Sequence, residues 1–246
     1  KLAACEHDVT FVGFQRKLEY YTGVRKWIWK IRYLREKDLE LNSLRLCSLI
    51  LPHNMDNIDL LKSEGIPKIR QQWLVPFYND MTRLIRRHIN NDILFYGAMA
   101  RPENYLSAIW FIDHVMPLLE SECVRFVIVG SNPPPALKKY ETKRVHITGF
   151  VESVEPYFES SLCFVAPLIL GAGIKVKVIE ALSSGIPVLT NDIGIEGIHV
   201  KNNQEYYHCE KPEEYAEKIR QIIEQKEGCE VGMAAKKFID NHYSMI

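Results

Sequence analysis

From residue 92 onward, short apolar runs alternate with stretches whose apolar positions recur at helical spacing. Residues 92–97 read as a strand that stops at Gly97. Residues 102–119 follow as a helix, with Leu106, Ile109, Trp110, Val115 and Leu118 on one face. Residues 124–129 form the next strand, and the loop at 130–135 could open a helix at a proline. The rhythm continues with a short strand at 145–147, a short helix at 152–159 and a buried strand at 162–166. After a glycine loop at 171–173, residues 174–184 make a helix and 185–190 return as a strand. Helices at 212–225 and about 231–242 close the chain. Strands alternating with helices predict a parallel sheet covered on both faces, an α/β doubly wound arrangement.

Residues 1 to about 75 break this rhythm. A long basic and aromatic stretch leads to a strand at 44–51, a helix at 57–63 and another strand near 72–75, and residues 75–80 read as a linker. One or two strands cannot make a doubly wound sheet of normal size. The first third therefore reads as the tail of a domain whose beginning is absent, and the domains are placed at 1–80 and 81–246. That the chain opens on Lys1 rather than methionine points the same way.

Composition narrows the chemistry. The chain has 246 residues, 47% hydrophobic and 25% charged, with 31 basic and 31 acidic side chains, so no whole-molecule field draws it onto nucleic acid. A small molecule or a protein is the expected partner. Six cysteines are scattered without a C-x-x-C pair, and the eight histidines do not pair at metal-ligand spacing. This reads as a reduced, cytoplasmic protein without a zinc site. No secretory leader and no apolar run of membrane-spanning length is visible.

In a parallel sheet, ligands gather at the carboxyl ends of the strands. The loops there are 97–104, 130–135, 148–151 and 168–177, and the last is the richest. Gly171 and Gly173 allow close backbone approach, and the helix that follows offers unpaired N–H groups and a positive dipole end. Lys175 and Lys177 place two cations where cations are disfavoured, which makes sense if an anion such as a diphosphate neutralises both. Glu180, one turn on, is a carboxylate in apolar surroundings that can accept from the paired hydroxyls of a ribose. The pattern is neither a Walker loop nor a dinucleotide fingerprint.

The run 171–190, followed by 194–197, resembles the donor-site signature of glycosyltransferase family 4. The segments 94–97, 101–104 with Trp110, 126–130, 148–151 and 164–167 match in order, and the close at His242, Tyr243 and Ser244 is similar too. The resemblance implies a GT-B fold: a Rossmann-like C-terminal domain that binds a nucleotide-diphosphate-sugar, plus an incomplete N-terminal domain for a glycan or lipid-linked acceptor. It implies sugar transfer with retention of configuration and without an essential metal. By position, Glu180 binds ribose, while Thr148, Gly149 and Phe150 meet the base. Gly171, Gly173 and Ile174, with Lys175 and Lys177 as catalytic cations, lie beside the sugar and diphosphate; Gly97 and Gly130 belong to the same donor side. Two departures stand out. Ala172 occupies the place of the first glutamate of the family's E-x7-E motif, and Ala98 follows Gly97 where a basic pair is usual. The resemblance assigns phosphate neutralisation to Lys175 and Lys177 instead.

The segment 16–37 is basic, with Tyr20, Tyr21, Trp27, Trp29 and Tyr33 interleaved. It suits a helix whose aromatic face packs inward and whose basic face is solvated, or one that makes peripheral contact with anionic lipid. Ala172 and the short first domain keep open a second class, a non-catalytic nucleotide-sugar-binding module or degenerate subunit. An epimerase of the same fold would need its own acid and base, and none stands out.

Overall fold

The computed structural model describes residues 1–225 and 228–243. One unit holds Lys1–Phe77 with the loop residues Leu170–Ile174 and Glu196–Ile198. A second holds Tyr78–Ile169, Lys175–Ile195 and His199–Ile246.

The first unit opens on a strand that the sequence reading did not anticipate. β1 (Ala3–Glu6) is short and only half buried, so it lacks an apolar run. Two helices follow, α1 (Thr10–Tyr20) and α2 (Gly23–Arg45), then β2 (Leu49–Pro52) and α3 (Met55–Ser63). β1 and β2 pair in parallel, with Cys5 opposite Leu51 and Glu6 opposite Pro52. The strand expected at 44–51 begins only at Leu49, because Leu41 and Leu44, three apart, continue the buried face of α2. The strand expected near 72–75 does not form, and Gln71 makes an isolated bridge to Ile50. Gln72 and Leu74 donate to the carbonyls of Ile50 and Pro52, but Pro52 has no N–H to return, so the ladder stays one-sided.

The stretch 16–37, expected as one helix, is two. It breaks at Tyr21 and Thr22, both extended, and restarts at Gly23 with φ 59°. Val9 precedes α1 and carries no capping oxygen. The cap comes instead from α2: the Glu40 carboxylate accepts from the N–H groups of Thr10 (2.7 Å) and Phe11 (3.0 Å). Val9, Phe11, Leu41, Leu44, Ile50, Leu61 and Ile66 form the core of this unit. Trp29 stacks on Tyr21, meets Phe14 edge-on and carries Lys17 and Arg32 over its ring.

The second unit is the parallel sheet expected from the alternating pattern. Its elements are β3 (Asp92–Tyr96), α4 (Pro102–His114), β4 (Arg125–Val129), α5 (Pro135–Lys138), β5 (Val145–Gly149), α6 (Glu155–Ser160), β6 (Cys163–Ala166), α7 (Val176–Ser184), β7 (Val188–Thr190), α8 (Asp192–Ile195), β8 (Tyr207–His208), α9 (Pro212–Gln225) and α10 (Gly228–Tyr243). The strand order is β5-β4-β3-β6-β7-β8, all pairs parallel. β6 is buried at every position, as a sheet covered on both faces requires. The helix expected over 102–119 stops at His114 and continues as a 3-10 turn over Met116–Leu119, since Pro117 cannot donate. α8 and β8 were not anticipated. α10 starts earlier than the expected 231, and Ser244 lies outside the described residues.

Residues 78–80, read as linker, pack into the second unit. Tyr78 and Met81 are buried, Tyr78 Oη donates to the Tyr243 carbonyl (3.2 Å), and the Met81 N–H donates to Ser183 Oγ (3.1 Å).

Candidate functional site

In the second unit the chain order reverses at β3, which has β4 on one side and β6 on the other. The carboxyl ends of β3 and β6, the two central strands, flank a topological switch point, where open α/β sheets bind ligands. The floor there is bare backbone. The Gly97 N–H donates to Val129 O (3.0 Å), and the Gly130 N–H donates to Gly149 O (3.1 Å). A Cβ on Gly130 would stand 1.7 Å from the Gly97 carbonyl oxygen, so no other residue fits without moving the strand ends. Gly97, Gly130 and Gly149 are thus one structural element.

Over this floor α4 and α7 each contribute a side chain. Lys177 Nζ donates to Asn104 Oδ1 (2.5 Å) and lies 4.8 Å from the Phe95 ring centroid. Asn104 Nδ2 in turn donates to Ala98 O (2.9 Å), tying the ammonium to the loop after β3. Burial, then the charges of Lys175 and Arg101, push the Lys177 ammonium down to about 7, with Glu103 opposing. Two full cations were expected. Lys177 instead is a cation whose charge burial disfavours, and an arriving anion would restore it.

The helix carrying it begins later than the expected residue 174. Lys175 is the extended N-cap residue and Val176 the first helical position, so Lys177 sits in the first turn against the positive dipole end. Glu180, one turn further, is 7% exposed, and its Oε1 accepts from the Asn79 N–H (3.0 Å). Burial raises its carboxyl above the ordinary range, and the Asn79 bond opposes that. The Tyr96 hydroxyl is raised by burial and then by the Glu180 charge. Glu180 is therefore no surface glutamate.

The family model for glycosyl transferases group 1 matches residues 90–225, more than half of the chain and, Asn79 apart, the residues of this site. The chain belongs to that family. An uncharacterized 44.6 kDa protein in the cps region of Klebsiella pneumoniae is 22% identical over 166 residues, 63% of this chain and 43% of that protein. Among solved structures, Anabaena Alr3699/HepE in complex with UDP-glucose superposes with a TM-score of 0.72 at 14% identity, covering 99% of this chain and 68% of that one. A TarM variant from S. aureus, in complex with Fondaparinux, alpha-GlcNAc-glycerol and UDP, gives 0.70 at 17% identity over 85% and 44%. Sucrose-phosphate synthase from Thermosynechococcus elongatus gives 0.72 at 13% over 98% and 63%. At these identities the likeness shows the fold, the Rossmann-like parallel sheet of GT-B glycosyltransferases. The chain spans less than half the length of its Klebsiella relative.

The remaining sequence-derived residues of this group 1 glycosyltransferase chain fall as follows. Thr148 and Gly149 end β5, Gly149 with φ 72°, and Thr148 Oγ1 donates to Gly149 O (3.0 Å). Phe150 projects from the strand end, 77% exposed. Gly171, Gly173 and Ile174 pack with the first unit. Arg16 donates to the Gly171 carbonyl and pairs in bidentate fashion with Glu196 (2.8 and 2.9 Å). The bare side of Gly173 is met by Asp8, whose Oδ1 would lie 1.9 Å from a Cβ, and Ile174 is buried. The sequence reading chose none of Asn104, Asn79 and Tyr96 as site residues. Asn104 had a usable signal, a polar residue in the first turn of the helix after a glycine-ended strand. Asn79 had none, because it acts through its backbone N–H.

Proposed function

We propose that the chain is the donor-side part of a retaining family 4 glycosyltransferase, which moves a sugar from a nucleotide-diphosphate-sugar to a glycan or lipid-linked acceptor. The observation that carries this is the Lys177 ammonium, desolvated at a helix N-terminus and anchored by Asn104 beside the sheet's switch point. A diphosphate there completes both the cation and the dipole. As the glycosidic bond breaks, negative charge builds on the leaving diphosphate, and Lys175, Lys177 and the start of α7 stabilise it more in the transition state than in the ground state. These cations stand where a divalent ion would otherwise serve, so turnover proceeds without an essential metal. Among the described residues the Asn79 N–H is the partner of Glu180 Oε1, which leaves Oε2 for a ribose hydroxyl.

Screening UDP, GDP and ADP with their sugars by thermal shift identifies the base, with about 2.7 kcal/mol of stabilisation expected at a hundred times the dissociation constant. Lys177→Ala lowers turnover by roughly 2 to 4 kcal/mol in barrier; unchanged turnover rejects the assignment. Ala172 favours one other reading, a module that binds donor without turning it over. Binding without hydrolysis or transfer supports that module.

For the acceptor side, α2 supports peripheral contact with anionic lipid on the cytoplasmic face. Val24, Trp27, Ile28, Ile31 and Leu34 are exposed along one side of the helix, and Arg25, Lys26, Lys30 and Arg32 flank them. Each basic side chain near such a surface contributes about 1 kcal/mol. No helix among the described residues is long and apolar enough to cross a membrane. Co-sedimentation with anionic but not neutral vesicles is expected, and a Trp27→Glu, Ile31→Glu double variant abolishes it.

A further inference from the structure

The two-stranded sheet of the first unit brings together three side chains that are far apart in sequence. Cys5 and His7 are two residues apart where β1 runs out, a spacing that puts strand side chains on one face. β2 is their parallel neighbour, and the His53 N–H donates to Glu6 O (3.1 Å), continuing the ladder one residue past the strand. That register sets His53 beside both. Cys5 Sγ lies 3.7 Å from His53 Nε2, and the His7 and His53 rings are 4.5 Å apart between centroids. One ligand atom from each of the three lies within 4.8 Å of the others.

His53 is fixed both at its ring and at its backbone. It is 5% exposed, and its Nδ1 lies 2.8 Å from the Leu74 carbonyl, an oxygen that can only accept. In the neutral, metal-binding form of the ring Nδ1 is therefore the donor, which leaves the Nε2 lone pair on the side of the cysteine sulfur. A backbone carbonyl on the far nitrogen is the usual support of a metal-binding imidazole. The Trp73 indole N–H also donates to the His53 carbonyl (2.8 Å), fixing the backbone of the same residue. Cys5 and His7 are exposed, so an ion can reach them.

We propose that Cys5, His7 and His53 form a binding site for a zinc-class divalent cation, with a fourth position open to water or an oxygen ligand. One thiolate and two imidazoles are a borderline-soft donor set that selects zinc over magnesium or calcium. A tetrahedral ion with ordinary bond lengths puts a sulfur and a nitrogen ligand about 3.6 Å apart, close to the observed separation of Cys5 and His53. The ion ties the exit of β1 to the exit of β2, which otherwise share one short ladder. This inference is independent of the glycosyl-transfer reading and routes no step of transfer through the metal.

Cobalt(II) added alone to the whole chain is the direct probe, because a cobalt–thiolate bond absorbs in the near ultraviolet and a tetrahedral site absorbs in the visible. One equivalent is expected to give both bands, and zinc is expected to displace it. Cys5→Ser removes the thiolate band. His53→Asn and His7→Asn weaken binding by about 100-fold or more, beyond the loss typical of a supporting partner. Cys123→Ser, at an exposed cysteine of the other unit, leaves the spectrum unchanged. The two exposed positions, Cys5 and His7, keep the test open should His53→Asn misfold. Absence of the thiolate band, or its survival in Cys5→Ser, overturns the proposal.

Discussion

In the second unit six parallel strands lie side by side, with β6 buried along its length and β3 buried through its middle; in the first, two short strands pair and long helices carry the packing. Local features do different work in the two. The strand ends of the second unit are backbone packed on backbone, as Gly130 on Gly97 shows. The first unit solves local problems with distant side chains: Glu40 caps a helix that starts thirty residues before it, and Arg16 reaches Gly171 and Glu196. The second unit should therefore be brittle at single backbone positions, and the first should depend on its charged groups.

The largest effect that can break this comparison is at a glycine. Gly130→Ala places a carbon inside the Gly97 carbonyl and is expected to cost about 3 kcal/mol or more in urea unfolding. Gly13→Ala in α1 meets only the Ala172 methyl at 3.6 Å, an ordinary contact, and is expected to gain up to about 1 kcal/mol from helix propensity. Similar costs at both positions would dissolve the contrast.

Next in size is Glu180→Gln. The carboxylate is buried on α7 and accepts from the Asn79 N–H; in the proposed donor site a neutral amide would weaken its hold on a ribose hydroxyl. Nucleotide affinity is expected to fall by about 10- to 100-fold, with little change in the unfolding midpoint. Calorimetry checks both.

A smaller effect is expected at Glu6 in the first unit. Burial, then the charges of Glu40 and Asp8, raise its carboxyl to about 7. The folded state therefore holds a proton that the unfolded state has released. Stability from this group is complete below about 4.5 and is lost as pH rises toward 7. After allowance for solvent screening, the loss is about 1 kcal/mol. Glu6→Gln should flatten the unfolding midpoint over that window, and a midpoint that rises with pH in both proteins would contradict the assignment.

The same contrast explains what could be read from the sequence. Strands buried on both faces are apolar runs, and glycines follow β3 and β4 and end β5, so the second unit was legible from residue 92 onward together with its carboxyl-end loops. β1 alternates between exposed and half-buried positions over four residues and carries no such signal. The break between α1 and α2 depends on Tyr21 and Thr22 being extended, which their side chains do not announce. Lys175, Lys177 and Glu180 could be chosen from spacing. That burial pushes the Lys177 ammonium down, and that Asn104 and Asn79 hold the two charged groups, are consequences of burial and of contacts seventy to a hundred residues distant.

The central claim is that Lys177 is a depressed cation completed by an anion, and proton uptake tests it most directly. At pH 8 the free ammonium, held near 7, is mostly deprotonated, and a bound diphosphate should raise it again. Titrating UDP into the chain at pH 8, in buffers of different ionisation enthalpy, is expected to show uptake of about one proton per nucleotide bound, and Lys177→Met should abolish it. Binding with no proton uptake, or with equal uptake in Lys177→Met, would contradict the account.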